Sequence, residues 1–261
     1  MIIDSHEHLI VPEKKQLALM EEAGVDFTIL FSTIIHPETA QDLTTLTQEL
    51  QPLYDIFTGK RNPVEARKHS LEELKQVVDK YPQKYKAFGC IPLGLSVEEN
   101  NEWIEKYIIK NKFIGLGEIV PKTGEVKQLR TIFSSAEEFG RLPLWVHTFE
   151  PVKFTDIKEL LELAVEYTKI PVIIGHLGGV HWLDTIKAVR DIPNVYLDLS
   201  ASFTTMAPYY AVKEYPLRTV FASDAPYMTP RAARLILEEA IQDSGIRRRV
   251  MGENIAELLQ L

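Results

Sequence analysis

The sequence holds a single cysteine, Cys90, so no intramolecular disulfide can form and nothing points to an oxidising compartment. It also lacks any apolar run of the roughly 20 residues that a membrane helix requires. The greasiest stretch, Val25 to Ile35, is broken by Asp26, Thr28, Ser32 and Thr33. The opening MIIDSHEHL has neither a basic start nor an apolar core of signal-peptide length, so the cytoplasm is the expected location. Cations are not in excess either. Lysine and arginine number 29 against 37 aspartates and glutamates, a net charge of −8, which disfavours nucleic acid or an anionic membrane as the main partner.

What is present is regular. Hydrophobic residues make up 45% and charged residues 25% of 261, ordinary for a globular chain able to bury a large core. Short β-branched or aromatic runs begin near residues 2, 26, 86, 113, 143, 171, 194 and 218. Amphipathic stretches such as 71–78, 156–165 and 234–241 lie between them, with apolar residues recurring at three and four. Strand alternating with helix predicts a parallel sheet covered by helices, and a spacing of about 25–30 residues is one βα unit. Eight units predict a single-domain α/β fold, a (β/α)8 TIM barrel of about the usual 250 residues. A doubly wound open sheet is the less favoured arrangement.

One gap, between the second and third runs, is about twice the others. It places an insertion at about residues 33–69 after strand 2, over the C-terminal face where barrel enzymes build their sites. The pattern Leu43, Leu46, Leu50, Leu53 predicts a helix over 39–54, and hence a folded cap.

The strand ends carry the chemistry. After the first strand comes Asp4-Ser-His6-Glu-His8, and residues two apart on a strand share a side, so His6 and His8 can chelate one ion. Glu118 ends the fourth strand, His147 the fifth, His176 the sixth and Asp224 the eighth. Any one has an ordinary explanation: a hydrogen-bonded histidine, a helix cap, a turn before Pro226, or, for Glu118, a carboxylate holding an imidazole. Five such explanations at one end of one barrel are less economical than a metal site. Imidazole and carboxylate donors suit zinc, with manganese or iron as alternatives.

Taken in order, DSHEHL, VIIGHLGG, NVYLDLS, VFASDAP and the closing GENIAELL resemble the amidohydrolase superfamily over essentially the whole chain. Within it they resemble the amidohydrolase-2 group that includes aminocarboxymuconate-semialdehyde decarboxylase. The resemblance implies metal ligands at His6, His8, His147 and Asp224. It implies a sixth-strand histidine, His176, that orients or activates water or acts as acid/base. It also implies an arginine after strand 2 that meets a substrate carboxylate, and Arg61 lies in the corresponding insertion. Glu118 in GLGEI, with ASDAPYMTP, resembles instead the TatD-like metal nucleases, which hold two metals with the fourth-strand glutamate between them. GHLGG and NVYLDLS are not TatD-like, and a net charge of −8 suits a polyanionic substrate poorly. One ion is therefore expected, with two as the alternative.

The expected activity is hydrolysis of an amide, lactone or ester bond in a small carboxylated molecule. A bound divalent ion would lower the pKa of its water, Asp224 would take the proton, and His176 would polarise the carbonyl. The alternatives are a non-oxidative decarboxylase on the same scaffold, a TatD-like phosphodiesterase, and a non-catalytic metal- or ligand-binding barrel. Substrate contacts are expected from His36, Arg61 and Asn62 in the insertion and from Trp182 and Tyr227 at the rim. The cap and the helical exterior offer surfaces for a homodimer, although no residue singles one out. Cys90 is expected to stand outside the chemistry.

Overall fold

The computed structural model describes residues 1–261, the side chain of Phe57 excepted. Eight strands pair in parallel in the order of the chain: β1 (Ile3–His8), β2 (Phe27–Phe31), β3 (Tyr85–Gly89), β4 (Gly115–Ile119), β5 (Leu144–His147), β6 (Val172–Gly175), β7 (Val195–Asp198) and β8 (Thr219–Val220). The first and last close on each other. Ser5 donates its N–H to the Phe221 carbonyl at 3.0 Å, and His8 donates to Ala225 at 2.8 Å. The fold is the (β/α)8 barrel that the spacing predicts, a single domain over the whole chain.

The helices are α1 (Glu13–Ala23), α2 (Leu43–Phe57), α3 (Pro63–Lys80), α4 (Val97–Trp103), α5 (Leu129–Glu138) and α6 (Phe154–Glu166). They continue with α7 (Trp182–Ala188), α8 (Met206–Glu214), α9 (Pro230–Ala240), α10 (Ser244–Arg248) and α11 (Asn254–Leu259). Both faces of the sheet are covered, which is why the strands read as nearly continuous apolar runs. Inside the barrel Ile3, Ile29, Phe31, Phe88, Trp145, Ile173 and Val220 pack together, joined by Ile255 of α11. A larger shell of aliphatic residues fills the space between strands and helices. The interior is tight: a Cβ on Gly175 would lie 2.2 Å from the Trp145 ring.

The insertion differs from its predicted span. It holds a short 3₁₀ turn (Pro37–Thr39) and α2, but ends at Asn62, because residues 63–69 are the first turns of α3. The Asn62 side chain accepts from the Val64 N–H at 2.8 Å, and Pro63 takes the first helical position, where its missing N–H costs nothing. The predicted helix over 39–54 is displaced too, since Asp42 and Thr45 form a capping box that starts α2 at Leu43. The segment is tied to the barrel through Glu38, whose carboxylate accepts from the Val11 N–H at 2.8 Å.

Candidate metal centre

Strand pleating and barrel closure bring six side chains to the C-terminal mouth: His6 and His8 from β1, Glu118 from β4, His147 from β5, and His176 and Asp224 from just beyond β6 and β8. His6, His8 and Asp224 form one group with donor atoms mutually within 4.8 Å, and Glu118, His147 and His176 form another. Glu118 lies between them. Its Oε1 is 2.7 Å from His147 Nδ1 and 3.4 Å from His176 Nε2, while its Oε2 is 3.5 Å from His8 Nε2. Asp224 Oδ1 lies 3.4 Å from His8 Nε2 and 3.9 Å from His6 Nδ1. Two of these residues adopt the left-handed backbone, His176 at φ 58° and Asp224 at φ 62°. Strained conformations of this kind concentrate where a side chain must be aimed.

The donors suit a cation. Both ring nitrogens of His6 are buried and have no hydrogen-bond partner among the described residues, as is also true of Asp224 Oδ1. His147 Nε2 lies 3.1 Å from the Glu150 carbonyl and donates to it. Nδ1, 2.7 Å from the Glu118 carboxylate, then needs either a proton or a bound cation between the two groups, and a ligating imidazole would offer its lone pair there. Burial depresses the His6 pKa to about 3, so its imidazole is neutral and ready to ligate. Burial would push Glu118 and Asp224 up, but the facing imidazoles outweigh it and both carboxyls fall below their usual values, Glu118 well below.

A support for His176 went unread in the sequence. Asp198, fully buried at the end of β7, accepts from the His176 N–H at 3.2 Å and the Ser200 N–H at 2.9 Å, and the Ser200 hydroxyl donates to it as well. With its proton given to Asp198, Ser200 Oγ accepts from His176 Nδ1 at 2.8 Å, which turns Nε2 toward Glu118 and His147. Trp145 Nε1 donates to the second Asp198 oxygen at 3.2 Å. The signal was present in NVYLDLS, where Asp198 ends its strand as His8 and His147 end theirs. Burial alone would lower the His176 pKa, but Asp224, Glu118 and Asp198 reverse this and raise it to about 9.

A cavity of about 520 Å³ opens above the array. Its walls include Ile35, Leu53 and Ile56 from the inserted segment and Val120, Phe149 and Met228 from the barrel loops. Of the residues expected to contact substrate, Tyr227 lines it, with its ring edge-on to His8 at 5.9 Å. Trp182 faces a neighbouring groove instead. Arg61 is exposed and Asn62 is occupied as a helix cap. His36 bonds Glu38 at 3.1 Å, a pairing that raises its pKa, and so helps seat the insertion rather than line the cavity. The arginine that does line it is Arg67, one turn into α3. Cys90 also lines the wall, where burial raises its pKa against the opposing pull of Arg67 and keeps the thiol protonated.

No curated protein matches the chain. Among solved structures it is similar to 5-carboxyvanillate decarboxylase LigW from Sphingomonas paucimobilis, with a TM-score of 0.68 and 15% identity over 100% of this chain and 99% of that one. It is also similar to 2,6-dihydroxybenzoate decarboxylase from Rhizobium (0.66, 16%, 99% and 98%). A third is dihydroxybenzoic acid decarboxylase from Polaromonas sp. JS666, solved with bound manganese and 2-nitroresorcinol (0.64, 16%, 100% and 97%). At such identities these likenesses establish a shared fold. The Amidohydrolase family model (Amidohydro_2) matches residues 3–261, and the chain therefore belongs to the amidohydrolase family.

Proposed function

We propose that this amidohydrolase is a metal-dependent carboxy-lyase that removes a carboxylate, as CO₂, from a small acid with an apolar body. The observation that carries this reading is the make-up of the cavity. Its floor is the imidazole–carboxylate array, its walls are largely apolar, and Arg67 is the one lysine or arginine among the described lining residues. Membership of the family, and the decarboxylases among the solved structures of matching length, support lyase chemistry over hydrolysis. The order of the two reactions expected from the sequence is thereby reversed.

His6, His8, Glu118, His147 and Asp224 would hold the ion, and their nitrogen and oxygen donors fit zinc or manganese. A bound divalent ion supplies a Lewis acid for substrate oxygen atoms. The chain supplies the rest. Decarboxylation leaves an electron pair on the carbon that loses CO₂, and that carbon must take a proton. His176, steered by Ser200 so that Nε2 faces the array, is the donor we assign. The apolar walls keep water from the reacting carbon.

The reaction is tested with a panel of carboxylates carrying ¹³C at the carboxyl carbon, including 2,6-dihydroxybenzoate and 5-carboxyvanillate, beside lactones, amides and a phosphodiester. Labelled CO₂ with the decarboxylated product is the expected result. Acid release from a lactone or amide without CO₂ would replace the proposal with a hydrolase, and phosphodiester cleavage with a TatD-like activity.

Arg67 makes one weak intramolecular contact, to the Pro63 carbonyl at 3.4 Å, and has no carboxylate within salt-bridge distance among the described residues. It is thus free to pair with an anionic group of the substrate. Arg67→Ala is expected to raise KM about 10–100-fold with kcat changed far less, because a charge-assisted hydrogen bond contributes about 1.5–3 kcal/mol. Steady-state kinetics on the accepted acid provide the check, with Arg67→Lys recovering part of the loss.

A further inference from the structure

His176 sits in backbone that L-amino acids avoid. From His176 to Gly179 four consecutive residues have positive φ, at 58°, 54°, 84° and 56°. Such values ordinarily occur at single residues, because Cβ crowds the following carbonyl. A run that includes His176 and Leu177 therefore needs restraint from its surroundings. β6 lies between β5 and β7, and restraint comes from both neighbours. On the β7 side Asp198 accepts from the His176 N–H at 3.2 Å. On the β5 side stands Thr148, 1% exposed, which follows the candidate ligand His147. Its hydroxyl donates to the Gly175 carbonyl and accepts from the Gly178 N–H at 3.0 Å, so one atom closes the turn around His176 and Leu177. The next residue, Phe149, packs on the same turn, where a Cβ at Gly179 would lie 2.5 Å from its ring.

We propose that Thr148 is a positioning residue for the reaction: its hydroxyl holds the Gly175–Gly178 turn and so aims His176 Nε2 at the array. The proposal rests on the reading of His176 as proton donor. Two features select this role over plain packing. A hydroxyl gives and takes a hydrogen bond at one atom, which the isosteric valine cannot do, and the turn uses both functions. The turn also carries a reacting group. The His176 ring is fixed at Nδ1 by Ser200, and its Nε2 lies 3.1 Å from His147 Nδ1. With the ring tethered at one nitrogen, its backbone anchor decides where the other points. A donor displaced by about 1 Å can cost about a hundredfold in rate. Thr148 is not among the described residues that line the cavity, so it acts on turnover rather than on substrate binding. The strand end that supplies a candidate ligand thus fixes the proton donor as well.

Thr148→Val in the metal-loaded enzyme is expected to lower kcat on the accepted acid about 10–100-fold, with KM nearly unchanged. Thr148→Ala carries the same expectation without pressing a methyl group against the turn. Thr148→Ser, which keeps the hydroxyl, should recover most of the loss. In a His176→Asn background Thr148→Val should cost nothing further, because a hydroxyl that acts through His176 has nothing left to aim. Amide hydrogen exchange reads the turn without turnover: the Gly178 N–H should exchange faster in Thr148→Val and at the wild-type rate in Thr148→Ser. A folded Thr148→Val or Thr148→Ala enzyme with wild-type kcat would overturn the proposal. So would equal losses in the two backgrounds, a Thr148→Ser enzyme as slow as Thr148→Ala, or a Gly178 amide equally protected with and without the hydroxyl. Wild-type turnover in His176→Asn alone would overturn the proton-donor reading instead, a failure that leaves the Gly178 amide unchanged.

Discussion

Asp224→Asn is expected to lower turnover of the accepted acid by about a thousandfold or more while the barrel stays folded. The substitution preserves size and removes the charge that faces His6, His8 and His176. The backbone at Asp224 is held independently of the side chain, by its N–H donating to the His6 carbonyl at 2.8 Å, so the loop has no reason to move. Bound metal should persist, because His6, His8, His147 and Glu118 remain, though a lost ligand or its support weakens affinity about 10–100-fold. Steady-state rates and elemental analysis of the same preparation check both halves. Inactive protein that still carries metal is the signature of a catalytic centre. Full activity in this variant would remove Asp224 from the chemistry, and no change in any property would favour a barrel that only stores or binds an ion.

Stripping the ion is expected to have the largest effect on stability. Two carboxylates and four imidazoles are packed within a few ångströms, and buried polar atoms of His6, His8 and Asp224 have no hydrogen-bond partner among the described residues. A ligand present at a thousand times its Kd stabilises the folded state by about 4 kcal/mol. At about 2–4 °C per kcal/mol for a domain near this size, the thermal midpoint should fall by about 10 °C on treatment with a chelator such as dipicolinate. Adding back zinc or manganese should restore it, and the stoichiometry of restoration counts the ions. The same treatment should leave a His6→Ala, His8→Ala double variant almost unmoved. Equal midpoints for treated and untreated wild-type protein, with no metal detected, would sink the assignment.

The parts of this protein that were legible in the sequence are those governed by period and by strand-end chemistry. Eight β-branched runs announced eight strands because a parallel barrel buries both faces of each, and the boundaries moved by a residue or two. The convergence of the candidate ligands was readable because each closes or follows its own run, from His6 and His8 to Asp224. The cavity wall was not readable in the same way. Arg61 and Arg67 are six residues apart, and which of them reaches the cavity depends on where α3 begins. Asn62-Pro63 is the start signal for that helix, but the same residues read equally well as loop, and Asn62 then looks like a substrate contact. Trp182 was placed at the rim correctly in height but not in direction, since the positive-φ run from His176 through Gly179 turns the chain into the neighbouring groove. That turn needs glycine: a Cβ at Gly178 would meet Thr185 Oγ1 at 2.2 Å. Cys90 looked inert because nothing in its own sequence context places the end of β3 against α3. The Asp198–Ser200–His176 chain required knowing which strand ends neighbour each other, a fact of closure rather than of pattern.

Closure has a consequence for how the protein comes into being. His6 and His8 leave the ribosome long before Asp224, and the first and eighth strands are stitched by contacts more than two hundred positions apart, such as Asp4 Oδ1 accepting from the Ser223 N–H at 3.0 Å. During synthesis, N-terminal segments fold before later ones exist. The nascent chain therefore carries two of the candidate ligands without the others they face until the eighth strand docks. An ion bound by the proposed ligands would therefore stabilise only the closed ring, since a chain broken off before residue 224 has His6 and His8 without Asp224.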